Sequence, residues 1–198
     1  AGTVTGSRPD DDFEHIASTV GVPWPGFEVR TLDASGADVG TGEPGEVAVR
    51  GATVMRGYLD DPDATAAAID ADGFLHTGDL GTIDADGYVR IVGRIKDMFI
   101  VGGFNAYPAE IENLLLRHPR ISQAAVIGVP DPRLGEVGMA FVVLDDGPPV
   151  DASSIIEWAR VEMANYKVPR AVEILGELPM NATGKVVKDD LRARIAAR

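Results

Sequence analysis

Turn-forming residues cut the first half of the chain into pieces too short for long helices or long uninterrupted strands. Runs rich in β-branched and aromatic residues, FEVRTLD at 27–33, GEVAVRG at 45–51 and FLHTGDLGTID at 74–84, alternate up to about Gly87 with Gly, Pro and Asp-Gly turns. Short runs joined by tight turns pair with their sequence neighbours, which predicts a small antiparallel β unit. One helix interrupts it at PDATAAAI, 62–69, where Pro62 suits a first helical turn and the body is rich in alanine.

After Arg94 the texture changes to strands and helices in alternation. DMFIVGG (97–103), SQAAVIGV (122–129) and GMAFVVLDD (138–146) read as strands. PAEIENLLLRH (108–118) sets Ile111, Leu114, Leu115 and His118 at helical spacing before Pro119 stops it, VDASSIIEWARVEMANY (150–166) is a helix with Asp151 as N-cap, and KDDLRARIAAR (188–198) is a last helix. The expected fold class is α+β, with a compact second unit built on a three-stranded sheet with helices. Charge divides the chain at the same place: residues 1–95 carry a net −11 and residues 96–198 a net −2. Two domains, 1–95 and 96–198, are therefore expected. The acidic run Asp10–Asp12 reads as part of a mobile start.

Composition removes several classes of function. A net charge of −13 argues against nucleic acid as a partner, because a phosphate backbone needs a basic surface. No apolar run approaches the length of a membrane span and no secretory leader is visible, which points to a soluble, cytoplasmic protein. The chain has no cysteine, so it has neither disulfides nor thiolate metal sites, and small molecules become the favoured partners. It starts at Ala1 without an initiator methionine, which suggests a fragment.

Three places carry candidate chemistry. Asp79, in HTGD (76–79), offers two acceptor oxygens in one plane, a geometry suited to a vicinal diol such as a ribose; taken alone it reads first as a turn aspartate bonding its own backbone. In VGRIKDMFIVGG (92–103), Arg94 and Lys96 flank the change of texture and Gly102-Gly103 ends a strand; the plain reading is a basic linker and a turn, although paired glycines also let backbone approach a ligand closely. Lys185 follows Gly184 on a loop of small residues and by itself reads as a solvated lysine.

In order, GYLDDPDAT, DGFLHTGDLGTIDADGYVRIVGRIKDMFIVGGFNAYPAEIE, VIGVPDPRLGE, YKVPR, LPMNATGK and VKDDLR resemble the carboxyl-terminal part of the adenylate-forming superfamily: acyl-CoA synthetases, luciferases and peptide-synthetase adenylation domains. Lys96 and the Tyr107-Pro108-Ala109-Glu110-Ile111-Glu112 stretch resemble the acyl-CoA synthetase branch, and Ile100 stands where luciferase-like members usually carry a second lysine. The alanine- and aspartate-rich wording is similar to actinobacterial fatty-acid and sterol-degrading CoA ligases.

The resemblance implies an AMP-forming acid–thiol ligase acting in two steps: a carboxylic acid attacks ATP to give an acyl-adenylate, and coenzyme A then displaces AMP. Asp79 and Arg94 would be nucleotide-binding, Lys96 the hinge, and Gly102, Gly103 and Phe104 the coenzyme A-binding tunnel. Lys185 would be catalytic, holding the carboxylate and the α-phosphate together, with Gly184 keeping its approach open; its run also resembles a site that bacterial acetyltransferases modify. Residues 1–95 would be the barrel-like last subdomain of a large AMP-binding domain, and residues 96–198 the small mobile domain. The partners implied are an N-terminal remainder of the same enzyme, which would hold most of the magnesium site, and a fatty or sterol-derived acid. Alone, the chain would be inactive. A non-catalytic binding or regulatory module with the same fold is the alternative.

Overall fold

A computed structural model describes residues 2–197. The chain forms two compact units, residues 1–96 and 97–198.

The first unit is built on a four-stranded antiparallel sheet in chain order: β3 (Glu28–Leu32), β4 (Gly45–Arg50), β5 (Leu75–Ile83) and β6 (Val89–Arg94). Ahead of it, β1 (Thr5–Gly6) pairs with β2 (Val22–Pro23), and α1 (Phe13–Ser18) lies between them in sequence. The link from β4 to β5 holds α2 (Pro62–Ala68), with Asp61 as N-cap. Successive residues of β4 face opposite ways, so Val47 and Val49 join Leu75 in one small apolar cluster while Ala48 joins Leu32 and Phe74 in another. The guanidinium groups of Arg30 and Arg50 lie 4.6 and 4.4 Å from the Phe74 ring centroid and roof the second cluster.

Two expectations for this unit are corrected. Among the described residues the sheet is open, with each strand paired to its chain neighbours and no closed barrel. The acidic run is tied down: the Asp12 carboxylate accepts the His15 N–H at 2.9 Å and caps α1, and Asp11 accepts the Tyr88 hydroxyl. Local patterning did not mark this, because one donor to Asp11, the Tyr88 hydroxyl, lies 77 residues away.

Among the described residues the second unit has five strands. β7 (Phe99–Val101) and β8 (Phe104–Ala106) form a hairpin; β9 (Ile121–Asp131) and β10 (Gly135–Leu144) pair antiparallel along their length; β11 (Ala171–Leu175) joins β10 in parallel. Strands β8 and β11 were absent from the three-stranded expectation. Each is only 3 or 5 residues long, and an edge strand takes its definition from the partner it pairs with rather than from its own periodicity. Helices α3 (Pro108–Leu115) and α4 (Ala152–Glu162) bury Ile111, Leu115, Ile155 and Ala159 against Val126, Ala140 and Val142. On the other face α5 (Lys188–Ala196) buries Leu191 against Ile127, Met139 and Phe141.

Both middle helices are shorter than their apolar spacing predicts. The chain leaves α3 through three-residue turns, with Arg117 N bonded to Leu114 O and His118 N to Leu115 O, and it leaves α4 at extended Met163, whose side chain turns into the core. Asp151 does cap α4, accepting Ser154 N–H at 2.8 Å.

Among the described residues one turn recurs four times. In Asp33–Ala37, Asp70–Phe74, Asp84–Tyr88 and Asn181–Lys185, the first side-chain oxygen accepts the backbone N–H groups of the third and fifth residues at 2.8–3.0 Å. The fourth residue is always glycine, with φ of +83°, +81°, +86° and +76°. First and fifth residues also bond backbone to backbone in each case. This is a type I turn closed by a left-handed glycine, the form that reverses a strand through three linking residues.

Candidate functional site

Asp79 sits where the β4–β5 ladder is broken by a bulge. Ala48 pairs with His76 and Glu46 with Leu80, so Thr77, Gly78 and Asp79 lie opposite Val47 alone. Side chains replace the missing ladder bonds: the Thr77 hydroxyl donates to Val47 O at 2.6 Å and accepts Asp79 N–H at 3.1 Å, and the Glu46 carboxylate accepts Gly78 N–H at 3.0 Å. Its other oxygen lies 2.8 Å from His76 Nδ1, while His76 Nε2 is 3.6 Å from Asp70. The hydrogen bond with Glu46, aided by the charges of Glu46 and Asp70 and opposed by partial burial, raises the His76 pKa above its ordinary value.

The bulge turns Asp79 toward its cross-strand neighbour. Arg94 Nε donates to Asp79 Oδ1 at 3.0 Å, and the two residues are partners in the β5–β6 register. The carboxylate is thus bonded to Arg94, which distinguishes it from a turn aspartate folded onto its own backbone. Beside it opens a cleft of about 390 Å³, with Val47, Val49, Leu75 and Ile91 among its apolar walls and His76, Thr77 and Asp79 on its polar side. Apolar walls with a few polar groups on one side are the common form of small-molecule sites.

In the second unit the candidates are exposed. Gly102 and Gly103 form the two-residue turn between β7 and β8, with φ of +57° and +90°, a conformation that favours glycine at both places. A Cβ at Gly103 would meet nothing within 4 Å. The Asp131 carboxylate accepts Arg133 and Leu134 N–H groups, and Leu134 O in turn accepts Gly102 N–H at 2.8 Å, so a neighbouring loop supports the turn. Phe104, 60% exposed, stacks on Tyr166 with ring centroids 5.0 Å apart. Lys96, the last residue of the first unit, is also exposed, in a 3-10 turn, Ile95–Asp97.

Lys185 closes the fourth copy of the recurring turn, which tips a short hairpin where Met180 bridges Val186 and Val187 N bonds Pro179 O. Its side chain is exposed. Gly184 earns its place through its left-handed backbone, since nothing lies within 4 Å of where its Cβ would be; keeping an approach open is not needed to explain it. The hairpin is anchored three residues on, where Lys188 Nζ meets Glu112 Oε1 at 2.8 Å and the same oxygen accepts Val126 N–H at 2.8 Å.

Residues 1–59 match the AMP-binding enzyme family, and residues 110–185 match the AMP-binding enzyme C-terminal domain. A Mycobacterium tuberculosis CoA ligase, named for a methyl-dioxo-octahydroindenyl propanoyl group, is 53% identical over 191 residues, covering 96% of this chain and 36% of that protein. The chain belongs to the AMP-binding enzyme family. A feruloyl-CoA synthase from Amycolatopsis is 47% identical over 92% of the chain and 38% of its own length. ATP-bound MatB from Rhodopseudomonas palustris superposes with a TM-score of 0.89 at 39% identity, over 96% of this chain and 38% of that one. The chain therefore spans a little over a third of the length of these family members.

For a family member read from sequence, the residues that hold the candidates are harder to find than the candidates. Asn181 and Asp131 carry a local signal, since each starts an Asx turn and each is followed by glycine three or four residues on. Glu46 and Glu112 carry none, because their partners, Gly78 and Lys188, lie 32 and 76 residues away.

Proposed function

We propose that this chain is the carboxyl-terminal part of an ATP-dependent carboxylic acid–CoA ligase that forms an acyl-adenylate and then an acyl-CoA thioester. The observation that carries the reading is Asp79, bonded to Arg94 at the edge of an apolar cleft. A carboxylate already oriented by a cation accepts two neighbouring hydroxyls, as a ribose presents them, without further rearrangement. Arg94 would remain at the nucleotide.

Lys185 would bond the carboxylate and α-phosphate oxygens in the first step, stabilising charge rather than moving a proton. In the second step coenzyme A would enter beside Gly102, Gly103 and Phe104, and Lys96 would be the pivot between the two states. Acetylation of Lys185 would remove its charge and with it the first step. Magnesium would accompany ATP. Among the described residues no three His, Asp or Glu side chains gather to hold it, and no role in binding it is assigned to them.

The acid would be a fatty, bicyclic or aromatic carboxylate, the classes that the relatives' names print. No helix among the described residues is long and apolar enough to cross a membrane; the cytoplasm, where ATP and coenzyme A meet, is the proposed compartment. Alone, the chain would make no acyl-adenylate.

The test uses the complete polypeptide that carries this segment, with two variants of Gly103. Leucine and alanine both bear the cost of a left-handed backbone, about 1–2 kcal/mol, whereas only leucine is long enough to block a pantetheine arm. Gly103→Leu is expected to keep ATP–pyrophosphate exchange and lose acyl-CoA formation, and Gly103→Ala to keep both. Loss of both half-reactions in both variants would assign the glycine to the turn alone. A parent polypeptide inactive with all three acid classes would favour the non-catalytic module.

A further inference from the structure

We propose that Asn181 is a positioning residue for Lys185, presenting its ammonium from a closed turn that carries no charge of its own. The proposal rests on the reading of Lys185 given above. Four copies of one turn show what its parts do. In the first unit the turn is a folding device: it reverses the chain before β5 and before β6, and in those two copies its fifth residue, Phe74 or Tyr88, is buried at 2% and 5% exposure. In the fourth copy the backbone is the same and the fifth residue is an exposed lysine. A geometry that elsewhere aims an aromatic ring into a core here aims an ammonium at solvent.

Two features bear on Lys185 itself. The Asn181 Oδ1 accepts Lys185 N–H itself at 2.9 Å, together with Thr183 N–H at 3.0 Å and the Thr183 hydroxyl at 2.8 Å, so the starting point of the lysine side chain is fixed from within its own turn. Fixing a charged group before the substrate arrives removes ordering cost from the reaction step. The first residue also differs: it is aspartate in all three copies of the first unit and asparagine only where the turn carries lysine. A carboxylate in that position would offer the ammonium a partner in its own turn and compete with the substrate's anionic oxygens. The amide keeps the two backbone bonds and leaves the charge unmatched.

Two measurements test this. In the 198-residue chain, amide hydrogen exchange by NMR should show Thr183 and Lys185 protected in the parent and in Asn181→Asp, and unprotected in Asn181→Ala. In the complete polypeptide, Asn181→Ala should slow ATP–pyrophosphate exchange about tenfold, the scale of losing the acceptor of two backbone hydrogen bonds. Thioester formation from supplied acyl-adenylate should be unchanged. Asn181→Asp should also leave the second step alone but slow the first by about twofold to fivefold, the range of an exposed ion pair.

Full exchange activity in Asn181→Ala overturns the proposal, as does an Asn181→Asp variant as fast as the parent. Parallel loss of both half-reactions with a lower Tm in Asn181→Ala also overturns it, making the residue a general support of the fold. If Lys185→Ala itself leaves the first step intact, the reading of Lys185 falls and the proposal with it, while the exchange data still report the turn.

Discussion

Asp79 and Lys185 are held in opposite ways. Asp79 lies on a sheet, its bulge pinned by Glu46 and Thr77, and its carboxylate already bonded to Arg94. Lys185 has a fixed backbone and an exposed side chain that takes part in none of the ion pairs among the described residues. The contrast follows from what each would meet. Neutral hydroxyls bind well to a carboxylate whose charge is partly satisfied, because they compete with its partner for geometry rather than for charge. Two anions need a cation whose charge is unspent, and holding its backbone in advance removes that part of the ordering cost, about 1–2 kcal/mol for one residue.

Removing the unspent charge should have the largest effect. Lys185→Ala in the complete polypeptide is expected to slow adenylation about a hundredfold or more, the scale of losing one preorganised electrostatic contact. Thioester formation from supplied acyl-adenylate should persist. Equal loss in both half-reactions would mean that lysine serves the hairpin, and the contrast with Asp79 would collapse.

The supports should differ next. Glu112 and Lys188 pair with only 19% of each side chain exposed, and the same carboxylate oxygen holds Val126 N–H. Glu112→Ala leaves both donors without that acceptor and is expected to destabilise the second unit by about 1–3 kcal/mol in urea unfolding. Arg94→Ala breaks an ion pair whose arginine is 54% exposed, and should cost less than about 1 kcal/mol. Similar losses would show that the site in the first unit depends on its ion pair for folding as well.

The smallest difference is in pH dependence. His76 in the first unit has its pKa raised, chiefly by its hydrogen bond with Glu46, so its contribution is fully present below about pH 6.5 and is lost as the pH rises through the higher folded value. His118 in the second unit is 9% exposed, edge-on to Trp158, and its pKa is lowered first by burial and then by Arg120. Its contribution is present above about pH 6.5 and is lost as the pH falls through the depressed folded value. Melting temperatures of His76→Asn and His118→Asn between pH 5 and 8 should diverge from the parent at opposite ends of that range. Divergence at the same end would refute the assignment.

Much of the site was legible because it is written in local turns. Gly102-Gly103 and Asn181–Lys185 are tight reversals whose glycines take positive φ, and the sequence marks them without reference to anything distant. The strands β4, β5, β9 and β10 showed through their apolar patterning for the same local reason. The edge strand β11 and the Tyr88–Asp11 bond did not show, since each depends on a partner far along the chain, and β8, with 3 residues, is too short to show a period. The early ends of α3 and α4 did not show because apolar spacing does not mark the local turns and the extended residue that end them.

By itself, then, the sequence determined the α+β class, the change of texture near Arg94, and the identity and order of the charged residues offered to chemistry. Side-chain alternation, caps and turns act over a few residues, and that range is enough for such features. Only the tertiary structure decided that the first sheet stays open, that Asp79 bonds to Arg94 across β5 and β6, and that Glu46 and Glu112 brace the two candidate regions. A carboxylate's partner is whatever donor the fold brings within about 3 Å, and nothing in the local pattern at Glu46 or Glu112 says which donor that will be.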